Sequence, residues 1–318
     1  MIWLHILIFL VSCAVLVRSG TWLVRSLIRI AKYLKLTEFS VAFILMAFAT
    51  SVPELFVGIM SALHGQPELS FGNIIGSNII NLTLAVAIGV LVAKGLKCEG
   101  AIIRRSSIYT LVIAFLPIIL MLDGSISRID GVILLLALAV YLQRLFYQKE
   151  RFTKVFSNAL NREWTQFRLF LKDFGMFFLG LTLLLLSAEG IVWSATRLAE
   201  TFNLPLMIIG AILVALGTNL PEITFGVRAI AMGHKDMVLG NLLGSVVANS
   251  TLVLAVTVLI CPLEVANFSP YITGIVFIGL AALFFVLFSR TGKEITRKEA
   301  LFLLLIYVGF ITVELLLK

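Results

Sequence analysis

The sequence predicts an all-α polytopic membrane protein of ten transmembrane helices, built as two inverted five-helix repeats. Three observations predict it. Hydrophobic residues make up 60% of the 318-residue chain and charged residues 13%, with a mean hydropathy of +1.09, outside the range of soluble domains. A long polar motif occurs twice inside otherwise apolar stretches, at a constant offset of 168 residues (Glu54 to Glu222). Lys and Arg fall almost wholly on alternate connections between the apolar runs.

Crossing a hydrocarbon core of roughly 30 Å takes about 20 residues of helix. Runs of that kind lie near 1–24, 39–63, 69–93, 102–122, 129–147, 170–196, 205–231, 237–260, 270–289 and 299–317. The first resembles a secretory signal in ending on small residues. It lacks a basic leading region, and the repeat offset pairs it with 170–196, so it reads as a retained helix. Arg18 within it is expected to snorkel to the cytoplasmic side on its aliphatic stem. Runs two and three carry the first motif copy, and runs four and five close the first repeat, 1–147. The connection 148–169 is basic and contains Trp164 and several Phe; it reads as a cytoplasmic linker or a helix lying on the membrane surface. The second repeat, 170–318, begins with the run holding Glu189, opposite Thr21 in the first copy, which is read as a structural or gate residue. Runs seven and eight carry the second motif, and runs nine and ten close the chain.

Five helices per repeat is an odd number, so the second copy enters the membrane from the opposite side. Inverted repeats are the architecture of many secondary transporters, with the site at the midplane where the halves meet. With ten spans, 21 of the 25 Lys and Arg fall on one side. By the positive-inside rule that side is cytoplasmic and both termini face out, as suits a prokaryotic plasma membrane. The net charge of +8 is accounted for by this asymmetry, so no nucleic-acid partner is expected; the lipid bilayer is the partner, and no obligatory protein partner is evident. Cys13, Cys98 and Cys261 form neither a disulfide framework nor a metal spacing. His64 and His234 read as surface residues near loop ends.

The first motif copy reads Ala49-Thr50-Ser51-Val52-Pro53-Glu54 followed by Gly72-Asn73-Ile74-Ile75-Gly76-Ser77-Asn78-Ile79-Ile80-Asn81. The second reads Gly217-Thr218-Asn219-Leu220-Pro221-Glu222 followed by Gly240-Asn241-Leu242-Leu243-Gly244-Ser245-Val246-Val247-Ala248-Asn249. A carboxylate in hydrocarbon costs about 2.5 kcal/mol or more, so Glu54 and Glu222 are functional candidates by default. Proline removes one backbone donor and displaces the carbonyl four residues earlier. Pro53 and Pro221 are therefore expected to loosen the chain near Ala49 and Gly217 and free carbonyls such as those of Ala47 and Ala215. Ser77 and Asn81, like Ser245 and Asn249, lie four apart and share a helix face, and the glycines allow close helix packing. The result is a set of oxygens suited to hard cations such as Na⁺ and Ca²⁺. Blander readings stand beside this one: the Ser and Thr hydroxyls as back-bonds to their own helices, and Asn73, Asn241, Asn78 and Asn219 as bridges between helices.

These residues resemble the alpha repeats of the cation/calcium exchanger superfamily, in its sodium/calcium exchanger branch, including the short prokaryotic members. Those repeats read G-T-S-x-P-E followed by G-N-x-x-G-S-N, and correspond to residues 47–81 and 215–249. The resemblance implies exchange of cytoplasmic Ca²⁺ against Na⁺ by alternating access, with the first and sixth helices sliding as a gate. It implies Glu54 and Glu222 as shared carboxylate ligands. Thr50, Ser51, Thr218, Ser77 and Ser245, with the carbonyls of Ala47 and Ala215, would complete the sites, and Asn81 and Asn249 would line their centre. No cofactor is expected; Na⁺ and Ca²⁺ are cargo. The chain departs from the pattern at Ala49 (usually Gly), Asn219 (usually Ser) and Val246 (usually Asn). Asn249 stands where many prokaryotic and potassium-dependent relatives have Asp. With two carboxylates to balance one Ca²⁺ or two Na⁺, exchange is expected to survive without potassium dependence and without proton sensitivity at that position.

The nearest rival is a Ca²⁺/H⁺ exchanger of the same fold, with Glu54 and Glu222 carrying protons; the neutral Asn81 and Asn249 speak against it. A passive cation channel and a non-transporting scaffold are further classes, and neither accounts for the paired carboxylates in inverted repeats. An enzyme is not expected, since no nucleophile with a base and no phosphate loop occurs in a cytoplasmic segment.

Overall fold

The computed structural model describes residues 2–33, 51–97, 101–147, 163–231, 236–291 and 294–316. Ala47, Ala49, Thr50, Cys98 and His234 lie outside the described residues. The protein is helical throughout, and the helices follow in the order the sequence predicts. They are α1 (Ile2–Tyr33), α2 (Val52–Leu63), α3 (Pro67–Ile80, continued to Ala93), α4 (Ala101–Leu120), α5 (Arg128–Tyr147) and α6 (Glu163–Phe202). There follow α7 (Leu206–Ile209, continued to Thr218), α8 (Leu220–Ala231), α9 (Asp236–Ala248, continued to Ile260), α10 (Ser269–Thr291) and α11 (Arg297–Leu316). The pair α7 and α8 forms one span broken at Asn219, and α2 is the second half of its counterpart. Among the described residues, seven helices are long and apolar enough to cross a membrane.

The repeat offset is visible in the coordinates. Adding it to the bounds of α2 gives those of α8, and the same shift carries the π-helical turn Asn81–Ala85 in α3 onto Asn249–Val253 in α9. Two short antiparallel strand pairs repeat the symmetry at opposite ends of α4. Leu96–Lys97 pairs with Glu294–Ile295 at one end, and Ser125–Ile126 with Leu263–Glu264 at the other. Each pair joins one repeat to the other, tying the halves outside the apolar layer.

Proline sets the start of the half-helices. Ser51 has φ −115° and ψ 12°, off the helical region, and Pro53 occupies the second position of α2. There its missing N–H has no helical partner to lose. Pro221 stands at the same place in α8. The prolines therefore begin new half-helices rather than kink continuous ones.

Residues 163–169, assigned by sequence to the connection, are the first turns of α6; no Pro or Gly interrupts that stretch, so the helix continues through it. Arg18 is exposed, with its guanidinium 5.4 Å from the Trp22 ring centroid, a cation–π contact.

Packing divides into two apolar clusters. The larger gathers α3, α4, α5 and α7 through α11 around residues such as Ile75, Ile79, Leu254, Phe285 and Phe310. The smaller joins α1 and α6 to α2 and to the start of α3, through Phe9, Leu16, Val57, Leu69, Leu184 and Ile191. The Pro67–Ala93 span is 83% buried, which makes α3 the central helix. Glycine allows its closest crossing. A Cβ on Gly72 or Gly76 would run into the backbone carbonyls of Met207 and Ala211, and one on Gly210 into the carbonyl of Leu69. Backbone lies on backbone there, the small-residue packing of membrane helices. Outward, Leu4, Leu7 and Leu10 of α1 and Leu301, Leu305 and Val308 of α11 are exposed, forming apolar stripes that face lipid in an integral membrane protein.

A candidate cation site where the repeats cross

Glu54 and Glu222 each enter as the third residue of a half-helix, where the N-terminal end of the helix dipole favours negative charge. Both are buried, 0% and 1% exposed. The two carboxylates interact with each other electrostatically, and the Thr218 side chain lies beside Glu54. None of their four oxygens has a hydrogen-bond partner within the protein.

Around them α3 and α9 contribute amides and hydroxyls from each turn facing the break. Asn81 donates to the Ser245 hydroxyl at 3.1 Å, and Asn78 donates to the Ser250 hydroxyl at 2.8 Å. The Thr218 hydroxyl donates to the side-chain carbonyl of Asn73 at 3.1 Å, as does Ser77 at 3.4 Å. Asn219 donates its amide to Ser77 at 2.6 Å and to the Ala215 carbonyl at 2.8 Å. The Ser51 hydroxyl, both polar atoms of Asn249 and the side-chain oxygens of Asn78, Asn81 and Asn219 have no partner.

The sequence-expected residues within the described part are thus brought together: Glu54, Glu222, Ser51, Ser77, Thr218, Ser245, Asn81 and Asn249 are all buried on the helices that meet at the breaks. One expectation changes. The Ala215 carbonyl is not freed by Pro221, because it accepts the Asn219 backbone N–H at 3.1 Å as well as the Asn219 side chain. The helix keeps its hydrogen bond up to the break, and proline acts only after it.

A buried polar group left without a partner costs on the order of 1–3 kcal/mol, and a charged one more. Two such carboxylates and several amide and hydroxyl oxygens meet that cost if they surround a cation that prefers oxygen ligands. The donor set contains no imidazole or thiolate, and among the described residues no cluster of His, Cys, Asp and Glu has metal-holding geometry of three or more. Soft-metal chemistry has no ligands here.

The π-helical turns begin at Asn81 and Asn249, widening the helix where each amide faces the site; such turns are frequent at functional positions. Thr83 and Thr251, at matching places, return their hydroxyls to the carbonyls of Ile79 and Val247.

Sequence comparison of the halves overlooks Ser250, since its mate is the apolar Leu82; only contact with Asn78 reveals it. His64 also needs revision. Its Nε2 lies 3.1 Å from a carboxylate oxygen of Glu189, while Nδ1 lies 3.2 Å from the Met60 carbonyl. It links α2 to α6, rather than standing alone at a loop end, and gives Glu189 a partner.

Ten helices in two inverted repeats, with a buried oxygen-lined site at their crossing, define a membrane transport protein of the secondary-carrier type. The sodium/calcium exchanger protein family model matches residues 4–147 and 172–316, and the chain belongs to that family. It is 29% identical to the sodium/calcium exchanger MaX1 of Methanosarcina acetivorans, over 98% of this chain and 99% of the relative. It is also 29% identical to the inner membrane protein YrbG of Escherichia coli, over 69% of each. Among solved structures, the sodium-calcium exchanger NCX_Mj soaked with 2.5 mM Na⁺ and 10 mM Sr²⁺ superposes with a TM-score of 0.65 at 26% identity, covering 98% of this chain and 99% of that one.

Proposed function

We propose that this protein is an antiporter that exchanges Na⁺ for Ca²⁺ by alternating access, with one set of ligands at the bilayer midplane serving both ions. The observation that carries the reading is the pair Glu54 and Glu222, buried, mutually interacting and without hydrogen-bond donors, at equivalent places in the two repeats. Two carboxylates balance one Ca²⁺ or two Na⁺, so either cargo neutralises the site and neither fits beside the other's full load. The exchanger name of MaX1 and the Na⁺ and Sr²⁺ of the NCX_Mj soak agree with such cargo.

Thr50, Ser51, Thr218, Ser77 and Ser245 supply hydroxyl oxygens, Ala47 and Ala215 carbonyls, and Asn81 and Asn249 the amides at the centre. The repeats divide as 1–147 and 170–318, with 148–169 between them. Both termini face out and the basic connections face the cytoplasm. Because α1 and α6 share a cluster separate from that of the other helices, they slide as a unit across the site.

The test is ⁴⁵Ca²⁺ uptake into Na⁺-loaded proteoliposomes. Uptake is expected to require the outward Na⁺ gradient and to be indifferent to an imposed pH gradient. Uptake driven by the pH gradient alone would replace Na⁺ with protons as counter-ion. Since the position of Asn249 carries no charge, replacing external choline by K⁺ is expected to leave the initial rate unchanged within about twofold; a K⁺ requirement would contradict the charge count.

A further inference from the structure

We infer that Asn219 fills one Na⁺ subsite with its own amide, so that this protein exchanges two Na⁺ for each Ca²⁺ without moving net charge. The inference rests on the exchange reading above and adds the number of ions to it.

The internal symmetry supplies the comparison. Ser51 and Asn219 occupy the same place in the two repeats, just before the proline that opens each half-helix. The Ser51 hydroxyl is buried with no partner and remains available as a ligand. At the other place, the Asn219 amide nitrogen stands 2.6 Å from the Ser77 hydroxyl and 2.8 Å from the Ala215 carbonyl. These are two of the oxygens that a cation at the crossing would use. The distances are close to those of a metal–oxygen contact, but the atom holding the oxygens is an N–H donor fixed to the chain. It satisfies their lone pairs and occupies the space between them.

A second substitution weakens the same half. Asn78 reaches across to Ser250, whereas its repeat mate is Val246, buried and without a polar atom. The second half thus loses an oxygen at one position and gains a blocking donor at another. The charge count agrees. Glu54 and Glu222 are the carboxylates at the crossing, and Asn81 and Asn249 beside them are neutral. Two Na⁺ or one Ca²⁺ cancel that charge, while a third Na⁺ would leave a net positive charge buried at the midplane.

The test is the Ca²⁺ gradient that a clamped Na⁺ gradient sustains at balance, read in proteoliposomes. Without voltage, a tenfold Na⁺ gradient is expected to hold a Ca²⁺ ratio of about 100-fold for two Na⁺ and about 1,000-fold for three. For the wild type we expect about 100-fold, unmoved by a membrane potential, whereas one net charge per cycle would shift it about fiftyfold per 100 mV. The substitution Asn219→Ser restores the arrangement at Ser51 and is expected to raise the ratio toward about 1,000-fold and make it voltage-sensitive. A wild type that balances at the higher ratio and follows voltage overturns the inference while leaving exchange intact. So does an active Asn219→Ser protein that balances where the wild type does. Absence of any Na⁺-dependent Ca²⁺ flux in the wild type overturns the exchange reading itself, and this inference with it. The wild-type balance decides the ion count even if the variant does not fold.

Discussion

Replacing Glu54 or Glu222 by glutamine is expected to abolish Na⁺-driven Ca²⁺ uptake while leaving the protein folded. Glutamine keeps the shape and the carbonyl oxygen but removes one of the two negative charges the divalent ion needs. At an effective dielectric constant of about 20, a unit charge pair at 4 Å is worth about 4 kcal/mol, so losing one carboxylate lowers Ca²⁺ affinity by about a thousandfold or more. The fold itself has little to lose, because the carboxylate oxygens hold no hydrogen bond within the protein. In cation-free buffer, two like charges buried side by side are a liability. The thermal midpoint of either variant is therefore expected to match or exceed that of the wild type, and added Ca²⁺ to stabilise the wild type alone. A variant that transports at more than about a tenth of the wild-type rate, or that fails to fold, contradicts this assignment.

The second large effect is structural. Gly76→Ala is expected to prevent α3 from seating against α7, because the added methyl meets the Ala211 backbone carbonyl rather than a side chain that can rotate away. Overpacking usually costs about 1–3 kcal/mol, and a collision between two helix backbones belongs at or above the upper end. Gly72→Ala meets Met207 in the same way. Gly175→Ala in α6 is the control, since nothing lies within 4 Å of the added carbon. There the helix gains up to about 1 kcal/mol in propensity. Thermal unfolding of the three variants in one detergent should place Gly76→Ala and Gly72→Ala well below the wild type and Gly175→Ala at or above it. Equal midpoints for all three would mean that the crossing is not tight.

The ten-helix plan was legible because lipid restricts spanning backbone to a few solutions, and because the polar motif kept its register across the offset. That register also located Glu54, Glu222 and the amides of α3 and α9. Three features were not legible. The π-helical turns at Asn81 and Asn249 have no propensity signal, since they come from packing and from the close approach of the helices. Ser250 is invisible to a comparison of the halves because leucine stands opposite it. The Ala215 carbonyl remained engaged because Asn219, a residue with a donor in its side chain, sits at the break; a rule about proline alone cannot see that neighbour. His64 was misread for a related reason, as its partner Glu189 lies on a different helix, far along the chain.

The most direct test is to locate a divalent cation in the protein. Anomalous diffraction from crystals soaked in Sr²⁺ without Na⁺ should show a peak between the carboxylates of Glu54 and Glu222, displaced when Na⁺ is raised. A peak at another place, or one indifferent to Na⁺, would contradict the assignment of these two residues as the shared site.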